Sequence, residues 1–247
     1  MTRVWPYGMQ SEVGEMKREI VFRKTLLRLL ILSLGLAASS TLLCAQEKTQ
    51  PDTGPRLSVG LLTDTSSHQK KVIEFEREVV NSVADGFAGS ATETFVVRYA
   101  DEVELLQDWS APGAGLRAVT PRIELDVESG KNHRTLLYEA LNVGLLKLDT
   151  GNSANSKVLI IIGEGNNAGG GIKYSQIKKR AKSAHVQCFV LLVADHNLMG
   201  GRVRHFGFDL YDLASSTKGR AYDIERSRKS LDKAIRDVLK RVHSRRE

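Results

Sequence analysis

The chain has 247 residues, of which 41% are hydrophobic and 26% are charged. This is the composition of an ordinary globular protein, so collagen-like, low-complexity and disordered classes are excluded. Two cysteines are too few for a disulfide scaffold. The net charge of +7 arises at the two ends, because residues 1–45 carry six basic and three acidic groups, residues 218–247 carry eleven and five, and the stretch between them holds 19 and 21.

Residues 1–45 are predicted to be a secretory signal peptide. A cationic segment at 23–28 precedes an apolar run at 29–38, and small residues follow it. This order is typical of an export signal, with cleavage expected after Ala45. The apolar run has about ten residues, which is too short for a membrane span of roughly 20.

A lipid anchor on Cys44 is the alternative, which the bulky Leu43 before it disfavours. Residues 46–56 are polar and contain two prolines, so they are interpreted as a linker. The sequence therefore predicts a secreted or periplasmic protein that meets a membrane only during export.

The remainder, residues 57–243, is predicted to be one domain in which strands and helices alternate. Val158–Ile162 is apolar throughout, as expected for a central parallel strand, and Cys188 is expected to be a small buried residue in another strand. This alternation predicts an α/β fold with a doubly wound, mainly parallel sheet and helices on both faces. Strands are predicted at 57–63, 94–99, 103–109, 158–162, 186–193 and 220–222. Helices are predicted at 72–87, 135–148, 174–184, 208–216 and 231–242, and a helix interrupted by Pro121 at 116–125.

Ligands of such sheets bind at the carboxyl ends of the strands. Asp64 and Ser66 follow the first strand, Thr135 opens a buried helix, and Glu164 follows the central strand. Their oxygen atoms could surround a small divalent cation. Helix capping by Ser66, Ser67 or Thr135 is the alternative interpretation of the hydroxyl groups.

Three segments in this order resemble the von Willebrand factor type A domain of secreted bacterial proteins. They are Leu-Leu-Thr-Asp-Thr-Ser-Ser-His, Thr-Leu-Leu-Tyr-Glu-Ala-Leu and Lys-Val-Leu-Ile-Ile-Ile-Gly-Glu-Gly, and the resemblance extends over about residues 57–242. It implies a doubly wound sheet with a metal-ion-dependent adhesion site. In this family the site usually holds magnesium, and an acidic group of a partner protein completes the coordination shell.

The family's Asp-x-Ser-x-Ser motif falls on Asp64, Ser66 and His68, its threonine falls on Thr135, and its later aspartate falls on Glu164. His68 and Glu164 thus depart from the pattern. Imidazole is a poor ligand for magnesium and a better one for zinc, nickel or copper. Three possibilities stay open at this point: a magnesium site, a transition-metal site on Asp64 and His68, and a metal-free protein-binding face.

The sequence therefore predicts a secreted, non-enzymatic protein-binding domain with a partly degenerate adhesion site and no nucleic-acid ligand. One alternative is a nucleotide-binding Rossmann-type enzyme that uses the Gly163–Ala168 loop and Asp195. Another is an anionic-surface binder that uses the basic carboxyl-terminal helix, whose cations could also be an ordinary solvated face.

Overall fold

The computed structural model describes residues 57–88, 92–126, 134–151, 156–193, 207–224 and 226–244. The predicted signal peptide, the linker and Asp195 lie outside these ranges.

Strands and helices alternate along the chain. In order they are β1 Leu57–Asp64, α1 Ile73–Phe87, β2 Thr92–Tyr99, β3 Val103–Ser110, α2 Pro112–Val119, α3 Leu137–Thr150, β4 Ser156–Gly163, α4 Tyr174–Ser183, β5 Val186–Leu192, α5 Phe208–Ser216, β6 Arg220–Asp223 and α6 Arg228–His243.

The six strands form one sheet in the order β3-β2-β1-β4-β5-β6. All neighbours are parallel except β2 and β3, which are antiparallel. The chain winds outward from β1 to β3 and then returns to β4 on the other side of β1. The carboxyl ends of β1 and β4 therefore lie at the point where the winding direction reverses, which is where ligands of open α/β sheets bind.

Both faces of the sheet are covered, as the apolar strands predict. Alternate side chains of β4 enter two different cores: Val158, Ile160 and Ile162 face α1, α2 and α6, whereas Leu159 and Ile161 face α3, α4 and α5. This division follows from the two-residue period of a strand. Cys188 is fully buried in the second core, so the expectation of a small buried residue is confirmed.

Two predicted helices differ in their limits. Helix α3 begins at Leu137 rather than Thr135, because Thr135 forms an isolated bridge with Ala168 and the backbone of Leu136 is not helical, with φ −84° and ψ 53°. Helix α2 begins earlier than predicted, with Pro112 in its first turn, and ends at Val119. A short 3-10 turn at Thr120–Arg122 contains Pro121. Proline favours the first turn of a helix and is disfavoured within one, which explains both limits.

Candidate metal centre

Asp64 is the last residue of β1 and has no exposed surface. Its Oδ1 atom accepts a hydrogen bond of 2.9 Å from the backbone N–H of Ser66. Its Oδ2 atom is 3.4 Å from Nε2 of Gln69, which donates to it. The carboxyl group is therefore fixed in position by the segment that directly follows its own strand.

The charge on this carboxyl group is unfavourable. Burial raises the pKa of Asp64 from its ordinary value of 3.8 to about 7, against the opposing effect of the hydrogen bond from the backbone N–H of Ser66, and the negative charge of Glu164 raises it further. Desolvation penalises the charged form unless an opposite charge lies close by. A cation next to Asp64 would remove this penalty.

The hydroxyl groups of Ser66 and Thr135 are buried and have no hydrogen-bond partner among the described residues. Ser66 lies close enough to the Asp64 carboxyl group to lower its pKa, but not in hydrogen-bonding geometry. Neither side chain caps a helix: the hydroxyl of Ser66 makes no bond to the 3-10 turn that follows it, and α3 begins two residues after Thr135. Leaving a buried hydroxyl unsatisfied costs about 1–3 kcal/mol. A ligand that binds these two oxygens would remove that cost.

Backbone hydrogen bonds hold Thr135 between the loops that follow β2 and β4. Thr135 and Ala168 exchange two of them, of 3.1 and 3.0 Å, in an isolated antiparallel bridge. The N–H of Leu136 donates to the carbonyl of Ala100, and the N–H of Thr65 donates to Tyr99, each at 2.9 Å. Segments carrying Asp64, Ser66 and Thr135 therefore meet at the end of β2.

Glu164 follows β4, is partly buried, and acts electrostatically on Asp64. The residue before it, Gly163, has a φ of +143°, and a Cβ atom there would lie 2.5 Å from Cβ of Asp64 and 2.9 Å from the hydroxyl of Tyr99. Only glycine allows the ends of β1 and β4 to approach this closely. The structure thus brings Glu164 into the electrostatic environment of Asp64.

His68 differs from the other predicted site residues because its side chain is exposed. The side chain of this segment that reaches Asp64 is that of Gln69, which is 1% exposed and whose Oε1 atom is buried without a partner. Residues 67–71 form a 3-10 turn. Side chains three residues apart align in such a turn, which explains why Gln69 lies on the same side as Ser66. Gln69 was missed in the sequence because the turn type was not predicted.

A second missed residue, Glu76, lies beneath the site. It is fully buried, its Oε2 atom accepts a hydrogen bond of 2.8 Å from Thr63, and its Oε1 atom has no partner among the described residues. Burial raises the pKa of Glu76 well above its ordinary value, and the charge of Asp64 raises it further. The sequence indicated the burial of Glu76 only through its position on α1, because it lies four residues after Val72 and three residues before Val79, both apolar.

The donor atoms at this end of the sheet are oxygens. One carboxylate and two hydroxyls come from Asp64, Ser66 and Thr135, whereas Gln69 turns its Nε2 atom towards Asp64. Among the described residues, no three histidine, cysteine or acidic side chains cluster in a way that could hold a metal. Oxygen ligands suit magnesium, calcium or manganese, whereas nitrogen and sulfur ligands favour zinc or copper.

The loop after β4 is unlike a dinucleotide-binding turn. Ten residues, 164–173, separate Gly163 from the first residue of α4, and Ala168 is bound to Thr135 instead of leading into a helix. A Rossmann turn needs the helix amino terminus directly after the glycines to bind the pyrophosphate. The geometry of the described residues therefore gives no support to the nucleotide-binding alternative.

No protein-family model matches the sequence, and no curated protein matches it. Solved structures do match. BatB from Bacteroides thetaiotaomicron has a TM-score of 0.59 at 14% identity, over 76% of this chain and 99% of that one. The von Willebrand factor type A protein from Catenulispora acidiphila has a TM-score of 0.54 at 13% identity, over 75% and 42%. Proximal thread matrix protein 1 from the mussel byssus, with a zinc-occupied MIDAS motif, has a TM-score of 0.56 at 16% identity, over 76% and 46%.

The chain has the von Willebrand factor type A fold. The predicted fold class and the resemblance seen in the sequence are both confirmed. Within this type A fold, Asp64 and Glu164 occupy the ends of β1 and β4, at the reversal of strand order. None of the described helices is long and apolar enough to cross a membrane.

Proposed function

We propose that this chain is a non-enzymatic protein-binding domain whose partner surface is the rim formed by Asp64, Ser66, Thr135 and Glu164. Asp64, Ser66 and Thr135 would hold a divalent cation directly. Glu164 would act through water or from the edge of the coordination shell, since its side chain is one methylene longer than the aspartate of the family pattern. Gln69 replaces His68 as the fifth polar group.

One observation carries this proposal: two buried hydroxyl groups, which have no hydrogen-bond partner within the described part of the chain, accompany a buried carboxyl group that favours neutrality. Each feature alone destabilises the folded chain, and one cation stabilises all three. The cation would act as a Lewis acid with an open position. An acidic side chain of a partner protein fits that position because small divalent cations prefer oxygen ligands.

Magnesium is the proposed ion. Asp64, Ser66 and Thr135 offer oxygen atoms, and magnesium commonly retains water in the remaining positions. The zinc-occupied MIDAS motif of the mussel structure supports including zinc in any test. A transition-metal site on Asp64 and His68 receives less support because the histidine side chain is exposed.

The proposal also includes the cellular location of the protein and the boundaries of its domain. A signal peptide at 1–45 and a linker at 46–56 would deliver a type A domain at 57–243 to the periplasm or the exterior. Its partner there would be a protein rather than a nucleic acid, because the excess of positive charge belongs to residues 1–45 and 218–247, whereas the stretch between them, which contains the rim residues, has 19 basic and 21 acidic groups.

Isothermal titration calorimetry of the protein with magnesium, manganese and zinc tests the proposal. We expect one ion per chain, loss of binding in Asp64→Ala, and weakening by about tenfold or more in Thr135→Val, because one ligand oxygen is lost. Thr135→Ser keeps the hydroxyl and should bind like the wild type. Asp108→Asn is the control, since this exposed carboxylate of β3 pairs with Lys147 of α3. Binding that survives in Asp64→Ala would overturn the assignment.

A further inference from the structure

Strand β6 forms one edge of the sheet, with β5 on one side and no other described strand on the opposite side. The N–H of Ile224 donates to the carbonyl of Leu192 in β5 at 3.2 Å. Backbone groups point to alternate sides along a strand, so those of Tyr222 also face β5. The N–H and C=O of Ala221 consequently point away from β5, towards the open edge.

An open groove of about 690 Å³ lies between β6 and α6. Its two walls are joined, because the hydroxyl of Tyr222 on β6 donates to Oδ2 of Asp237 on α6 at 2.7 Å, and Arg220 on β6 lies 3.6 Å from the same oxygen as an ion pair. The opposite face of α6 is fixed in the core by Leu231 and Val238, among others. The groove is therefore preformed, which lowers the entropic cost of binding.

The helix wall of the groove has unpaired positive charge. Lys233, Arg236 and Lys240 line the groove, are exposed, and have no ion pair among the described residues. Their spacing of three, four and seven residues places them along one side of α6. On the same helix Arg228 is paired with Asp232, and Asp237 in the groove is neutralised by Arg241 and Arg220.

We propose that this groove binds an extended acidic segment of another protein, which adds to β6 as a further strand. Backbone hydrogen bonds to Ala221 would fix the segment, and its carboxylates would face Lys233, Arg236 and Lys240. This is the β-augmentation mode of peptide recognition. A membrane surface is flat and could not reach the backbone of Ala221 inside a groove, so the geometry favours a strand over a lipid bilayer.

The positive charges could instead serve to prevent edge-to-edge pairing of sheets, but that role explains their positions less well. Lysines that prevent edge-to-edge pairing are placed on the edge strand itself. Here the unpaired cations lie on the facing helix, while the strand's own Arg220 is bound to Asp237 and stacks on the ring of Tyr222. The open backbone edge of β6 can therefore supply hydrogen bonds, and the facing helix α6 can attract carboxylates.

The test uses a synthetic peptide of about ten residues that alternates glutamate with threonine, longer than the four-residue β6. Binding is measured by fluorescence anisotropy with the wild-type protein and three variants. Ala221→Pro removes only the outward N–H, which edge strands tolerate, and Ala221→Val keeps it. Lys233→Glu combined with Lys240→Glu reverses the charge. A peptide N-methylated at alternate residues has the same charge but cannot pair as a strand, and phosphatidylglycerol vesicles test the membrane alternative.

We expect several-fold to about tenfold weaker binding in Ala221→Pro, the loss expected for one hydrogen bond, and near wild-type binding in Ala221→Val. Charge reversal should weaken binding at least tenfold, and added salt should weaken the wild-type complex. Circular dichroism confirms that each variant is folded. Equal binding of the N-methylated peptide, unchanged binding by Ala221→Pro, or binding of vesicles without binding of the peptide would each overturn the proposal. Because Asp64 is unchanged throughout, the result is independent of the metal site.

Discussion

At the scale of single residues, Asp64 gives the metal-free protein a distinctive pH dependence. Its pKa is raised by burial from 3.8 in the ordinary state to about 7 in the folded chain. The folded chain therefore prefers the neutral acid, and the stabilisation is complete below pH 4 and is lost as pH rises to about 7. We expect the unfolding free energy to fall by roughly 4 kcal/mol across this window.

Urea denaturation in the presence of a chelator, at intervals between pH 4 and pH 8, measures this fall. Asp64→Asn is neutral throughout and should lose the part of this fall that Asp64 contributes, while Glu76, whose pKa is also raised by burial, keeps a fall of the same sign in both proteins. Adding magnesium to the wild type should restore stability at pH 7 and above, because the ion binds only the charged form. A wild type whose stability in chelator does not change between pH 4 and pH 7 would show that Asp64 is not an unfavourable buried charge.

Asp64, Ser66 and Thr135 could be predicted because they follow strand ends in a recognisable order. Gln69 and Glu76 could not be identified in the same way. The inward position of Gln69 depends on a 3-10 turn, whose three-residue period is not visible in a five-residue segment. Glu76 interrupts an otherwise apolar helical stripe, and its role depends on Thr63, which lies 13 residues away.

At the scale of elements, the approach of β1 and β4 depends on the glycine between β4 and its loop. Gly163→Ala would force a side chain into the φ +143° conformation and against Asp64. We expect a loss of about 3 kcal/mol of unfolding free energy, from backbone strain and overpacking together, and reduced metal binding. Gly171→Ala in the same loop is the matched control, since no atom lies within 4 Å of the added methyl.

Differential scanning calorimetry of both variants makes the comparison. A Gly163→Ala protein as stable as Gly171→Ala would contradict the close packing of the two strand ends.

The secondary-structure elements themselves were largely predictable from the sequence, since β4 is apolar throughout and α1 has helical spacing of its apolar residues. The start of α3 was not, because the backbone of Thr135 bonds to Ala168 on a distant loop, and such long-range bonds override local preference.

At the scale of the whole molecule, two cores on opposite faces of the sheet hold the domain together. Leu145 of α3 is fully buried in the second core, whereas the adjacent Leu146 is 38% exposed. We expect Leu145→Ala to lower the unfolding free energy by about 3 kcal/mol and Leu146→Ala by well under 1 kcal/mol. Urea titration of both variants checks the orientation of the helix, and a larger loss for Leu146→Ala would contradict it.

The order of strands could be inferred because continuous apolar strands alternating with helices permit few arrangements. The groove beside β6 could not, since it depends on how α6 lies against a four-residue edge strand. Sequence patterns record which side chains are buried, but they do not record the space left between two elements. The basic face of α6 was therefore visible in the sequence, whereas its position opposite the open backbone of Ala221 was not.

The central claim is that Asp64, Ser66 and Thr135 hold one divalent cation at the end of the sheet. A crystal structure of the protein grown with manganese, with anomalous scattering data, tests it most directly. We predict one strong anomalous peak about 2.2 Å from a carboxylate oxygen of Asp64 and from the two hydroxyl oxygens, absent from crystals of Asp64→Ala. A fully occupied peak elsewhere, or an ordered chain with no peak beside Asp64 at saturating manganese, would contradict the account.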